Sequence, residues 1–142
     1  MNPALARFMA VDYGEKRVGL AIADELGMIA SAAGFIVRRA GKRAPIAEII
    51  RRAEAAGARG FVVGLPLDGD GDETDWTREV RRVGDEIAKR TGLPVEYRDE
   101  RFTTSASLRA IREMEGSTRG RKGDVDAMAA AMLLQNALNV TP

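Results

Sequence analysis

Three acidic residues carry most of the chemistry open to this chain: Asp12 in MAVDYGEKRVGLA, Glu100 in VEYRDERFTT and Asp126 in KGDVDAMAAAMLL. There is no histidine and no cysteine, so a Ser-His-Asp triad, a thiol nucleophile, an imidazole base and a sulfur-ligated zinc site are all excluded. What remains is carboxylate chemistry assisted by a hard, oxygen-seeking cation. Three carboxylates converging within a few ångströms repel one another unless a cation binds them. One or two Mg²⁺ or Mn²⁺ ions, roughly 3.5–4 Å apart when paired, meet that need; they activate water and stabilise the leaving oxygen of a phosphodiester. The reaction to expect is phosphodiester hydrolysis.

The elements that position these acids follow from the apolar pattern. Arg7 to Asp12 and Val18 to Ala23 are two β-like runs about a turn containing Gly14, hence a hairpin. Met28 to Val37 continues the meander. Ile46, Ile49, Ile50 and Ala53 share one face of a helix over Pro45 to Ala56 that Gly57 ends. Gly60 to Gly64 is short and β-branched, as expected of a strand covered on both faces. Thr74 or Asp75 can cap a helix to about Arg90, in which Trp76, Val80, Val83 and Ile87 keep helical spacing. Val95 to Arg98 is a further strand, and a helix capped by Thr103 or Thr104 runs to about Met114. Glu115 to Gly123 reads as a basic linker, and a last helix, with Asp124 as its cap, runs to about Asn139.

The order βββαβαβαα predicts an α/β protein: a five-stranded mixed sheet with helices on both faces, in a single domain over residues 1–142. Sites in such sheets gather at the carboxyl ends of the strands, and Asp12 and Glu100 fall there. Asp126 is expected in the first turn of the last helix, whose dipole favours an ionised carboxylate by ~0.3–1 kcal/mol. Ala129 and Ala130 lie on the same helix face and let it press close to the sheet.

A hydrophobic fraction of 45% and a charged fraction of 30% exclude disordered and fibrous classes. No apolar run approaches the ~20 residues of a membrane span and no signal peptide is visible, so a cytoplasmic protein without a membrane partner is expected. A net charge of +1 argues against coating nucleic acid by bulk electrostatics. Of the 22 basic residues 18 are arginine, a side chain suited to phosphate, although arginine usage in a GC-rich genome is the simpler account. Lys16, Arg17 and Arg101, beside the acids, and Arg119, Arg121 and Lys122, in the linker, are the candidates to hold substrate phosphates; the alternative for each is a solvated charge. Tyr13 and Tyr97 are candidates for base stacking or for packing. Gly14 suits a turn and Gly64 a close backbone approach.

Four stretches in order, Asp12 to Ala21, Val62 to Leu67, Asp99 to Thr104, and Lys122 to Asp126 followed by alanines, resemble the YqgF family, also called RuvX. These are small bacterial proteins with the ribonuclease H-like fold of the RuvC resolvases, and the resemblance runs from about Phe8 to Leu138. Three departures stand out: Phe102 where leucine is usual, Asp72 where threonine is common, and Asp124, which leaves open which aspartate binds metal. The resemblance implies that Asp12, Glu100 and Asp126 are the catalytic and metal-binding residues of a Mg²⁺- or Mn²⁺-dependent nuclease. It implies a structured RNA precursor as partner, trimmed at the 5′ end of pre-16S rRNA in ribosome biogenesis. The alternatives are a Holliday junction resolvase, which cuts branched DNA symmetrically and needs a homodimer rather than a monomer, and a non-catalytic RNA-binding module. Sugar kinases and actin share the Asp-x-Gly turn but need two lobes, and this chain has room for one.

Overall fold

One five-stranded sheet carries the site in the computed structural model, which describes residues 1–39, 41–100 and 122–140. Its strands are β1 (Phe8–Tyr13), β2 (Arg17–Ala23), β3 (Ala30–Val37), β4 (Gly60–Leu65) and β5 (Val95–Asp99), in spatial order β3-β2-β1-β4-β5. The first three form an antiparallel meander, and β4 and β5 add in parallel beside β1. The described helices are α1 (Ile46–Ala55), α2 (Asp75–Thr91) and α3 (Lys122–Asn139).

Strand alternation sorts the side chains into two cores. Met9, Val11 and Tyr13 of β1, with Leu20, Phe61 and Val63 from its neighbours, pack against Ile49 of α1 and Val80, Val83 and Ile87 of α2. Phe8 and Ala10, with Ala21 and Val62, face Ala130, Leu133, Leu134 and Leu138 of α3. Helices therefore cover both faces, and every residue of β1 and β4 is buried, as the unbroken apolar run of β4 requires; in β1 the charged Asp12 is buried along with its apolar neighbours.

Local signals set most boundaries. Thr74, rather than Asp75, caps α2: its hydroxyl accepts the Thr77 amide at 3.2 Å, and the Thr77 hydroxyl accepts the Thr74 amide at 3.1 Å. Gly92, at φ 70°, ends the helix in the left-handed region that glycine favours. Strand β3 begins at Ala30 rather than Met28, because the Asp24 carboxylate accepts the Met28 and Ile29 amides and holds them in a turn.

The last helix departs from expectation. It starts at Lys122, so Lys122 and Gly123 belong to the helix instead of the linker, and Asp124 is an exposed residue of its first turn, not its cap. The helical cost of Gly123, about 1 kcal/mol, is small against the burial of Ala127, Ala130 and Leu134 on the sheet. The expected helix from Thr103 or Thr104 to Met114, and the linker as far as Arg121, lie outside the described residues.

Candidate active site

Asp12 lies near the carboxyl end of the central strand, directly opposite Gly19 of β2. Continuing the pairing of Val11 with Val63 by one step brings it level with Gly64 of β4. By alternation with Ala10, Ala21 and Val62, all three positions face α3. Both strand neighbours of this carboxylate therefore lack a side chain, and the other two acids use the space. A Cβ at Gly19 would lie 2.0 Å from the Asp126 carbonyl oxygen and 2.4 Å from its carbon, so the α3 backbone rests directly on β2. A Cβ at Gly64 would lie 2.7 Å from Glu100 Oε2 and 3.0 Å from Leu133 Cδ2. Asp126 from one side and Glu100 from the other thus approach over the glycines that flank Asp12. The three are 3%, 3% and 4% exposed for Asp12, Glu100 and Asp126 respectively, whereas Asp124 is exposed.

Burying carboxylates has electrostatic consequences. Arg17 Nε donates to Asp126 Oδ2 at 2.7 Å, and both side chains are largely shielded from water. Burial, and secondarily the charge of Asp99, push the Glu100 carboxyl up from 4.5 to about 7. A carboxyl whose folded value is raised imposes no penalty below its unfolded value and an increasing one as pH rises toward the folded value. With divalent ions chelated, stability should fall between pH 4.5 and about 7 and then level off. The drop should be on the order of 3 kcal/mol. Urea denaturation in EDTA across that range measures it, and Glu100→Gln should flatten the profile; a wild-type profile already flat would contradict the burial argument.

The other candidates divide. Lys16 is an exposed turn residue close to the acids in sequence, while Arg17 is turned onto Asp126. Lys122 is the first residue of α3, and Arg101, Arg119 and Arg121 lie outside the described residues. Both tyrosines take their packing role. Tyr13 is 1% exposed and stacks on Trp76 at 5.7 Å, and the Tyr97 hydroxyl donates to the Asp85 carboxylate. Gly14 serves by close approach, since a Cβ there would lie 2.7 Å from the Arg17 carbonyl that its amide bonds at 3.0 Å. Arg38 braces the same turn, donating to the Gly14 carbonyl at 2.9 Å with its guanidinium 4.5 Å from the Tyr13 ring centre. Sequence reasoning passed over Gly19, although a glycine inside an apolar strand is a signal of close backbone approach.

The acids are gathered on one face but not closed around a point: among the described residues no three acidic side chains form a group set to hold an ion. Like charges spread apart, and Asp126 is drawn toward Arg17. The helix dipole is not what balances Asp126, because the longer helix puts it beyond the first turn, where that effect fades. In kind the donor set fits a hard divalent ion: oxygen only, buried, and on one side of the sheet.

Solved structures with this architecture include Thermus thermophilus RuvC, with a TM-score of 0.56 at 13% identity over 92% of this chain and 94% of that one. The same protein in complex with a Holliday junction substrate gives 0.54 at 15% identity, over 92% and 93%. The sheet order and this likeness show that the chain has the ribonuclease H-like fold.

Residues 6–140 match the family model RuvX, described as Holliday junction resolvase, and the chain belongs to that family. Relatives named "Putative pre-16S rRNA nuclease" include one from Rickettsia bellii (strain OSU 85-389), 34% identical over 94% of this chain and 86% of its own. Another, from Anaeromyxobacter dehalogenans (strain 2CP-C), is 41% identical over 94% and 96%. The enzyme class is accordingly that of a nuclease.

Proposed function

We propose that this protein is a divalent-metal-dependent nuclease that acts in the cytoplasm on the 5′ end of pre-16S rRNA. The observation that carries the catalytic part is the set of three buried acids approaching over Gly19 and Gly64 on one face of the sheet. Three acids buried together gain nothing for a protein that only binds phosphate. Asp12, Glu100 and Asp126 are the residues to hold Mg²⁺ or Mn²⁺, which when bound supplies a Lewis acid and an activated water. The chain's own residues provide the rest: the two glycines admit the flanking acids, α3 closes one side against solvent, and Arg17 fixes Asp126. The rRNA substrate is supported by the names of the relatives.

A second reading, cleavage of four-way DNA junctions, is favoured by the family's description and by the junction-bound RuvC of similar fold. The two separate in one experiment. Wild-type protein and Asp126→Asn are incubated with Mg²⁺ or Mn²⁺ and either a pre-16S rRNA fragment or a four-way junction. Cutting of the RNA near its mature 5′ end, lost in the variant, is the expected result. Paired, symmetric junction cuts with the RNA intact would overturn the rRNA assignment in favour of the resolvase. Binding of RNA with no cutting of either substrate would leave a binding module.

A further inference from the structure

Exposed arginines on α1 and α2 are tied to nearby carboxylates, as Arg51 is to Glu48, Arg82 to Glu79 and Arg90 to Glu86. The loop from β3 to α1 is built differently. It places Arg38, Arg39, Lys42 and Arg43 within six positions, and no acidic residue lies between Glu25 and Glu48. Arg39, Lys42 and Arg43 are exposed, as is Lys16 of the β1–β2 turn, and among the described residues none of these four forms an ion pair. Arg38 ties this loop to the site. Its amide donates to the Lys16 carbonyl at 2.8 Å, and its guanidinium donates to the Gly14 carbonyl at 2.9 Å and lies 4.5 Å from the Tyr13 ring centre. Tyr13 and Gly14 directly follow Asp12. The unpaired cations are therefore anchored to the turn that leaves the central acid, at the carboxyl end of the sheet.

We propose that the β3–α1 loop is the arm that receives the RNA chain: Arg39, Lys42 and Arg43, with Lys16, hold phosphates that flank the scissile one. This rests on the reading of Asp12, Glu100 and Asp126 as a nuclease site. Unpaired surface cations are open to an anion from outside, and a nucleic acid is the anion whose charge repeats along a chain, as these cations repeat along a loop. The guanidinium fork also fits phosphate oxygens. The other flank of Asp12 sets a direction. There β4 runs on into a loop with five acidic and no basic residues between Leu65 and Arg78. Arg78 and Arg81 pair with two of them, Asp75 and Glu73. A polyanion is repelled on that side and attracted on the β3 side, so the strand leaves the site across the β1–β2 turn. A chain with a net charge of only +1 thereby gains a local field that its total does not show.

The test is RNA binding without catalysis. A fluorescein-labelled pre-16S rRNA fragment is titrated with the full chain in EDTA, and anisotropy is read from ~50 to ~200 mM KCl. Lys42→Gln/Arg43→Gln is compared with Arg59→Gln/Lys89→Gln. The second pair removes the same residue types just before β4 and in the last turn of α2, at the opposite end of the sheet from Asp12. All four side chains are exposed, so both variants should give the wild-type circular dichroism spectrum. The loop pair should weaken binding about tenfold at the lowest salt and flatten the slope of log Kd against log salt by roughly 1.5, while the distal pair binds as the wild type does. Equal losses in both pairs would mean a bulk charge effect, and no loss in the loop pair would mean solvated charges; either overturns the proposal. So would an undiminished hold on RNA with binding of polyglutamate lost, which would make the loop a seat for an acidic protein. Cleavage of the same fragment by the wild type in Mn²⁺ is scored separately. Cutting, with RNA affinity unchanged in the loop pair, defeats this proposal alone. No cutting, with the loop pair weakened, defeats the nuclease reading and with it the assignment of flanking phosphates.

Discussion

Asp12→Asn should abolish metal-dependent cleavage and leave the fold in place. Asparagine has the shape of aspartate, and the position is enclosed by Ala10, Gly19 and α3, so no cavity or clash is created. What is lost is the charge of the acid on the central strand, the one that both flanking acids approach. A neutral amide is a poor ligand for a hard divalent ion. Metal stabilisation of a developing oxyanion is worth several kcal/mol, so the rate should fall by about 10³ or more. Far-UV circular dichroism should be superimposable on the wild type and the thermal midpoint in EDTA should not drop. Cleavage assays in both Mg²⁺ and Mn²⁺ measure the effect, because the softer ion tolerates poorer ligands. Wild-type rates for the variant in either metal would remove Asp12 from the site.

How far the sequence could be read is best seen residue by residue. The strands and two of the helices were legible because their signals are local: the unbroken apolar run at Gly60 to Leu65, the Thr74 cap and the left-handed Gly92 each act within a few residues. The acids were legible as a set because the absence of histidine and cysteine left carboxylates as the available chemistry, and because the motifs around Asp12, Glu100 and Asp126 resemble one family. Gly64 was read correctly as a place of close approach, but its purpose, room for Glu100, depends on β5 lying beside β4. Gly19 went unread for the same reason: its value comes from pairing opposite Asp12 and from contact with Asp126, 107 residues away in the chain. Arg17 looked like a phosphate ligand because its sequence neighbours are charged and turn-like. Its actual partner is set by the packing of α3, as is the start of α3 itself, which local cap chemistry placed near Asp124. Local rules reached the elements, and tertiary contact decided what each site residue touches.

Gly19→Ala is the sharpest test of that tertiary contact, because it adds one methyl group and no charge. The new carbon would sit 2.0 Å from the Asp126 carbonyl oxygen, 2.4 Å from the carbonyl carbon and 3.1 Å from the Ala127 nitrogen. All three are backbone atoms, so no side-chain rotation relieves the clash. Either α3 lifts away from β2 or β2 bends away from the helix, and Asp126 moves relative to Asp12 in both cases. Overpacking of this kind costs about 1–3 kcal/mol, and a displacement near 1 Å at a reacting site costs about 10²-fold in rate. The variant should therefore melt several degrees lower and lose roughly that factor in metal-dependent cleavage. Gly69→Ala is the matched control: a Cβ there meets nothing within 4 Å, and both properties should stay at wild-type values. If Gly19→Ala instead kept full cleavage and an unchanged melting temperature, α3 would not be seated on β2 at this point. The approach of Asp126 to Asp12 would then need another explanation.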